Sequence, residues 1–373
     1  MHLLRVQVPD FRGLKDIDIT FEKDFFPKIF PLGSQNGGGK STLLQLIFVL
    51  LHCSIDEDKK PFIANMLQGF KIADGQDKRV LAIIDIWDGE NLVKLGFNCC
   101  KKSPILEVVF DEDIKSEDSI DICYYSSAPK SNNNQEPNTK LQCHFTNQNK
   151  ERVQSFLHKI SRKTFLAAPS TQVFIFLPQH SRKLLFKQPS NGDNNYHGIL
   201  ESARYKLRGL FTYDFLAVDL LIKSFKDARD RDFREAIKTG SYGNSYQTII
   251  KELNLLLGNK RINLNEDFSG VNFQLYNNGE TIELYPEDLS HGELKRLSIY
   301  VWLNSRNIKD AIVLMDEVEI AFHPDWQYQI ISDLKEWAPS NQYILATHSY
   351  ELCQALTPAH VKEIEPKLIK QES

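Results

Sequence analysis

The run Ser34-Gln35-Asn36-Gly37-Gly38-Gly39-Lys40-Ser41-Thr42 constrains this chain more than any other stretch. It lies between an apolar segment ending near Leu32 and a helical run from Ser41 to Leu51. Glycines without side chains let successive backbone N–H groups turn toward one anion, and the helix that follows directs its positive end at the same charge. A lysine placed like Lys40 reaches the β and γ phosphates of a nucleoside triphosphate, and the Ser41 hydroxyl can join a magnesium shell. The strict pattern asks for glycine five places before Gly39, where this chain has Ser34, with Gly33 one place early. Asn36 to Thr42 still keeps the glycines, the lysine and both hydroxyls. A phosphate loop is the functional reading, and a glycine-rich turn before a basic helix cap is the alternative.

A chain of 373 residues with 42% hydrophobic content can bury a large core, as one domain or two intimate lobes. The formal net charge of -4 argues against a surface coated in cations, so any nucleic-acid contact has to be confined to a patch. The six cysteines lack a paired C-x-x-C spacing, which indicates neither a zinc module nor a secreted disulfide framework. The start has no signal-peptide core, and the longest nearly apolar run, Leu43 to Cys53, falls short of the roughly 20 residues a membrane helix needs. A cytoplasmic protein with no membrane association is expected.

Leu3 to Phe21 reads as two strands around a turn at Phe11-Arg12-Gly13-Leu14, and Lys28 to Leu32 as the strand feeding the loop. Arg12 either reaches back to phosphate or sits on a plain surface turn. A charged linker, 55–61, is followed by strand-like runs at Arg79 to Trp87, Leu92 to Phe97, Ile105 to Phe110 and Ile120 to Tyr125, which suggest an antiparallel accessory meander. The polar run Ser126 to Lys140 reads as a loop, and Asn149 to Arg162 as a helix. Val173 to Leu177 is a buried-strand candidate whose end delivers Gln179 toward magnesium and the γ phosphate, unless Gln179 is an ordinary loop amide. Helical patterns then cover Ile199 to Phe211, Tyr213 to Phe225 and Ser245 to Leu257, before short strands near Val271 to Leu275 and Thr281 to Leu284. The mixed-sign run Lys226 to Glu235 reads as a solvated helix face, with a DNA-facing use of Arg229, Arg231 and Arg234 as the alternative.

A second block completes the site. Asp288-Leu289-Ser290-His291-Gly292-Glu293 precedes an amphipathic run, so Ser290 and Gly292 fall at a helix amino terminus where backbone donors can hold an anion. Ala311 to Met315 is an aliphatic strand ending in Asp316-Glu317. That order suits a magnesium site: Asp316 in the ion's shell and Glu317 polarising the attacking water. Gln342 to Ala346 is another core strand, ending at Thr347-His348-Ser349.

The ordered set of phosphate loop, late glutamine, Leu-Ser-x-Gly-Glu, aliphatic Asp-Glu and Thr-His-Ser resembles the ATP-binding-cassette ATPases. It most resembles their branch with structural-maintenance-of-chromosomes (SMC), double-strand-break-repair and overcoming-lysogenisation-defect (AAA_21-type) members. Val318-Glu319-Ile320-Ala321-Phe322-His323-Pro324 resembles that last group's Glu-x-x-Leu-His-Pro segment and is unlike the corresponding run of transport ATPases. The resemblance covers residues 1–54 and 286–358 firmly and the middle loosely. It implies an α/β fold with an antiparallel β accessory sheet and a compact helical lobe. Expected domains are an N-terminal ATPase lobe, 1–180, a helical insertion lobe, 195–260, and a C-terminal ATPase lobe, 261–373.

The resemblance also implies that Asn36, Gly37, Gly38, Gly39, Lys40, Ser41 and Thr42 bind ATP, with Ser41, Gln179 and Asp316 around Mg2+. It casts Glu317 as general base, His348 as the γ-phosphate switch and Arg12 as a phosphate contact. Ser290, Gly292 and Glu293 would cap the ATP of a second copy in a two-fold dimer. The overall pattern is similar to the ATPase subunits of bacterial antiphage systems, such as Septu and retron-associated ATPases that work beside an HNH nuclease. It implies a hydrolytic switch that controls a DNA-acting or nuclease partner. A nucleotide-gated scaffold restraining a toxin or nuclease, a DNA-repair ATPase and a transporter subunit are the competing functions. DNA contact, through Arg204, Lys206 and Arg208, is a separate expectation.

Overall fold

The computed structural model describes residues 1–34, 37–101, 119–126, 139–145, 150–184, 186, 196–213, 218–267, 269–277 and 279–364. In chain order it runs β1 (His2–Phe11), β2 (Leu14–Thr20), β3 (Ile29–Gly33), α1 (Lys40–Cys53), α2 (Lys60–Leu67), β4 (Lys78–Trp87), β5 (Leu92–Lys101), β6 (Ser119–Tyr125), β7 (Thr139–Phe145) and α3 (Lys150–Ser161). It continues through β8 (Thr164–Ala168), α4 (Gln179–Leu184), α5 (Tyr196–Lys206), β9 (Leu210–Thr212), α6 (Val218–Thr239), α7 (Ser245–Leu257), β10 (Lys260–Leu264), β11 (Val271–Asn277) and β12 (Glu280–Leu284). It ends with α8 (His291–Ser305), β13 (Ile312–Asp316), α9 (Pro324–Trp337), β14 (Gln342–Ala346), α10 (Tyr350–Gln354) and β15 (Lys362–Glu363). These elements form two compact units, one of residues 1–211, 310–318 and 340–373, the other of 212–309 and 319–339.

The first unit is α/β, as the sequence leads one to expect. It carries a six-stranded sheet in the order β15-β3-β14-β13-β8-β9, whose pairings from β15 to β8 are parallel. Pro31 is tolerated in β3 because β15 registers only with Leu32 and Gly33, leaving the strand paired on one side at the proline. A second six-stranded sheet, β2-β1-β4-β5-β7-β6, is antiparallel throughout. The sheets are joined by one buried amide: Gln342 Oε1 accepts from Leu3 N at 2.7 Å and its Nε2 donates to Leu3 O at 2.9 Å, beside the bulge in β1. α1 is apolar around its whole circumference and is accordingly buried from Leu43 to Cys53, against β8, β13, α2 and α3.

Several expectations are corrected. The accessory sheet includes β1 and β2 and is not a meander, because β7 lies between β5 and β6. β7 continues beyond the polar run, and its alternation of buried Thr139, Leu141, Cys143 and Phe145 identifies the face it packs. The Ile105 to Phe110 strand and most of the polar run lie outside the described residues. The charged linker gives way to α2, with Pro61 in the first turn, where a missing N–H costs nothing. Val173 to Leu177 is buried except at Phe174 but forms no strand: Ile175 N donates to the Gln45 side chain and Leu177 N turns back to Phe174 O. The helix from Ile199 stops at Lys206 and Phe211 belongs to β9; of the helix placed over Tyr213 to Phe225, Val218 onward lies in α6 and 214–217 fall outside the described residues. α7 runs from Ser245 to Leu257 as expected.

The second unit packs α6, α7 and α8 with the three-stranded sheet β10-β11-β12 around Leu221, Phe225, Leu253, Phe273, Leu297 and Tyr300. Among the described residues, no helix is long and apolar enough to cross a membrane. The cysteines are free, and burial pushes the Cys99, Cys123 and Cys143 thiols up to about 12, which leaves them unreactive.

Gly209 passes so close to β8 that an added Cβ would lie 2.7 Å from Thr164 O and 2.9 Å from His52 Cε1. Gly209→Ala should therefore lower stability by about 1–3 kcal/mol in denaturant titration, and an unchanged midpoint would refute this tight packing. His52 itself stacks on Phe48 with ring centroids 4.9 Å apart, and its Nδ1 lies 2.5 Å from Ser161 O. Burial depresses its pKa to about 4 from the ordinary 6.5. Between those values the unfolded chain binds the proton and the folded chain does not. The stability it contributes is thus complete above pH 6.5 and is lost as pH falls toward 4. Denaturation midpoints measured across that window should fall less steeply for His52→Gln than for the parent chain; parallel curves would contradict the assignment.

Candidate functional site

Sheet order β3-β14-β13-β8, with every pairing parallel, puts the carboxyl ends of these strands on one edge. β3 leads into the phosphate loop. Gly37 and Gly39 both have φ of 83°, a left-handed conformation suited to glycine, and a Cβ on Gly39 would come within 2.6 Å of the Leu14 side chain. Lys40 opens α1. Its buried ammonium donates to Ser34 O and Ser34 Oγ, each at 3.0 Å, and lies 3.4 Å from His348 Nδ1. Ser34, the residue that departs from the strict pattern, thereby supplies two oxygens to the loop lysine. Gly38 is buried and Thr42 half-buried beside them, whereas Asn36 lies outside the described residues.

β13 delivers the acids. Ser41 Oγ donates to Asp316 Oδ1 at 3.0 Å, bringing together a hydroxyl and a carboxylate from residues 275 positions apart. Glu317 follows at φ 50°, with its N–H donated to Ala346 O at 2.9 Å, so the chain leaves the strand sharply and holds the carboxylate at the edge. β14 ends two residues before His348, whose neighbour Ser349 caps α10 by accepting from Leu352 N at 2.9 Å. Among the described residues no cluster of three His, Cys, Asp or Glu side chains could hold a metal. The hydroxyl–carboxylate pair of Ser41 and Asp316 fits a magnesium ion, which takes few protein oxygens and completes its shell with phosphate and water.

Gln172, four residues beyond β8, points its Nε2 at the Glu317 carboxylate, 3.4 and 3.5 Å from the two oxygens. Gln45 fixes that segment from inside α1: its Nε2 donates to Gln172 O at 2.5 Å and its Oε1 accepts from Ile175 N at 3.2 Å. A lone amide in an otherwise apolar helix was the sequence signal for Gln45. Gln179 instead opens α4 and lines a cavity with Arg12, whose guanidinium donates to Met66 O at 2.8 Å.

The Leu-Ser-x-Gly-Glu segment belongs to the second unit. Ser290 and Glu293 form a reciprocal capping box at the start of α8, with Glu293 N donating to Ser290 Oγ at 3.3 Å and Ser290 N to Glu293 Oε2 at 2.9 Å. Burial alone would raise the Glu293 pKa, but Lys260 at 2.5 Å and the Ser290 donors outweigh it and hold the carboxyl below its ordinary value. Gly292 has no room for a side chain, since a Cβ would lie 2.7 Å from Ala321 O and 3.3 Å from the Trp326 ring. Arg204 is engaged by Glu201 at the end of α5, and Lys206 closes that helix.

The family described as "AAA domain, putative AbiEii toxin, Type IV TA system" matches residues 138–354. The chain belongs to this AAA_21 family. The matched span holds Gln172, the capping-box segment, the Asp-Glu pair and His348; the phosphate loop precedes it. This AAA_21 chain is also 40% identical over 54 residues to the "Retron Vc95 probable ATPase" of Vibrio cholerae, covering 14% of the chain and 10% of that protein. It is 37% identical over 60 residues to the "Retron Ec83 probable ATPase" of Escherichia coli, covering 16% and 11% of the two chains. It is 35% identical over 69 residues to the "Septu protein PtuA" of Bacillus thuringiensis, covering 17% of each. The matches thus span less than a fifth of the length of these relatives. The SMC head domain from Thermotoga maritima overlaps 95% of the chain and 92% of itself at a TM-score of 0.45 and 9% identity.

Gly292→Ala should destabilise the second unit by about 1–3 kcal/mol, because the carbonyl it meets cannot rotate away. Hydrogen exchange of α8 and α9 reads this directly; unchanged protection would show that the contact is slack.

Proposed function

We propose that this AAA_21 protein is an ATP-hydrolysing switch whose active form is a two-fold dimer holding nucleotide between copies. The observation that carries the proposal is the convergence of Lys40, Ser41, Asp316, Glu317, Gln172 and His348 at one edge of a parallel sheet. Lys40 exchanges its Ser34 oxygens for the β and γ phosphates, and the backbone donors ahead of α1 hold the same charge. Ser41 and Asp316 hold magnesium, which neutralises the phosphate oxygens when bound. Gln172 orients Glu317, and Glu317 accepts a proton from the water that attacks the γ phosphate as ADP leaves. His348, beside Lys40, senses whether that phosphate is present.

Ser290, Gly292 and Glu293 of a second copy close the site, and their capping box gives that face a fixed shape. Closure and release then control a DNA-acting or nuclease partner in antiphage defence, such as an HNH protein. The short likenesses to retron and Septu proteins and the sequence resemblance support this reading. Direct DNA contact through Arg204, Lys206 and Arg208 is a separate proposal. A cytoplasmic setting accords with it.

A second reading, a nucleotide-gated scaffold with negligible turnover, is favoured by the hold of Ser34 on Lys40. The two are separated by phosphate release from the purified chain. Under the switch reading, Lys40→Ala abolishes release, while Glu317→Gln lowers it at least about 100-fold, retains ATP and accumulates dimers in size-exclusion chromatography. Glu317→Gln turning over at the parent rate would remove Glu317 as the base, and no release from the parent chain would favour the scaffold.

A further inference from the structure

The first unit contains a cavity of about 530 Å3 that the hydrolytic residues do not use. Its described lining includes Arg12, Lys71, Arg79 and Arg182 together with Gln179, no carboxylate, and no described residue of the phosphate loop. Arg79 is balanced by Asp10 at 2.7 Å and lies over the Phe70 ring, 4.1 Å from its centroid. The other two guanidiniums donate to main-chain carbonyls, and Arg12 also lies over the Phe11 ring, 5.5 Å from its centroid. Arg12 donates to Met66 O at 2.8 Å, and Arg182 to Leu177 O at 2.7 Å and Asn65 O at 2.6 Å. Those bonds fix their planes without neutralising their charge. Burial, and then repulsion from Arg12, pulls the pKa of half-buried Arg182 down to about 10. Like charges held together this way are stabilised by an anion that accepts from both.

We propose that this cavity is a second anion site, distinct from the phosphate loop, that takes a polyphosphate group. A concave surface with several converging cations suits a compact ligand of multiple negative charge better than a nucleic-acid backbone, which offers one charge per phosphodiester along its length. Guanidinium forks fit phosphate oxygens two at a time, and the volume falls within the roughly 300–1,000 Å3 of small-ligand sites. The polyphosphate is either free or the tail of a nucleotide. Half-buried Phe70 lines the same cavity and offers a base an apolar edge.

The test is calorimetric titration of inorganic tripolyphosphate into the full chain carrying Lys40→Ala, which disables the phosphate loop. Binding should persist and weaken at least tenfold on adding Arg12→Gln and Lys71→Gln, both exposed, with the thermal midpoint unchanged. Arg182→Gln should weaken it further. Titration with ADP assigns the source: at least tenfold tighter binding than tripolyphosphate, lost in Phe70→Ala, identifies a nucleotide, and equal binding identifies the polyphosphate alone. Tripolyphosphate binding that vanishes with Lys40→Ala alone, or that is indifferent to the cavity substitutions, overturns the proposal. ATP binding by the unaltered chain reports on the phosphate loop itself, so the two sites fail independently.

Discussion

The burial of α1 from Leu43 to Cys53 is the constraint on which the rest depends. An apolar helix cannot face water on any side, so sheet strands and further helices must surround it. That enclosure fixes where its first turn points, and with it the positive end of the helix, the Lys40 ammonium and the Ser41 hydroxyl. The strands that enclose it are parallel, so their carboxyl ends all emerge beside that turn. Residues as distant in sequence as Ser41, Gln172, Asp316 and His348 become neighbours for this reason, and no local feature of any one of them would bring them together.

The polar exceptions inside the apolar core show how the positioning is done. Gln45 sits in the middle of α1 and spends its whole amide on the segment carrying Gln172, which stands against Glu317. Gln342 does the same between the two sheets, using both ends of its amide on Leu3. A buried amide without partners costs of order 1–3 kcal/mol, so each fixes its neighbours as firmly as a ladder hydrogen bond would. The steric exceptions act alike. Gly209 and Gly292 stand where a methyl group would meet a carbonyl oxygen at 2.7 Å, and each lets one element approach another more closely than a side chain permits.

Much of this was legible in the sequence because it is local. The phosphate loop, the aliphatic strands ending at Asp316 and Ala346, and the helix start at Ser290 each announce themselves within ten residues. What was not legible depends on partners far away. Val173 to Leu177 has the composition of a buried strand, but Gln45, distant in sequence, binds Ile175 N and Gln172 O and so holds Gln172 beside the acid. Phe211 looks like the last turn of a helix until the edge of the parallel sheet claims it as strand. The polar run before Lys140 obscured β7, whose alternation is regular once the strand is delimited. Ser34 looked like a defect in a motif, and its meaning appears only with Lys40 folded back upon it.

A crystal structure with magnesium and a non-hydrolysable ATP analogue tests whether these separated residues enclose one triphosphate. The expected result is the Lys40 ammonium released from Ser34 onto the β and γ phosphates, Ser41 and Asp316 in the ion's coordination sphere, and Gln172, Glu317 and His348 around the terminal phosphate. An analogue bound away from this edge, with Lys40 still on Ser34, would contradict it.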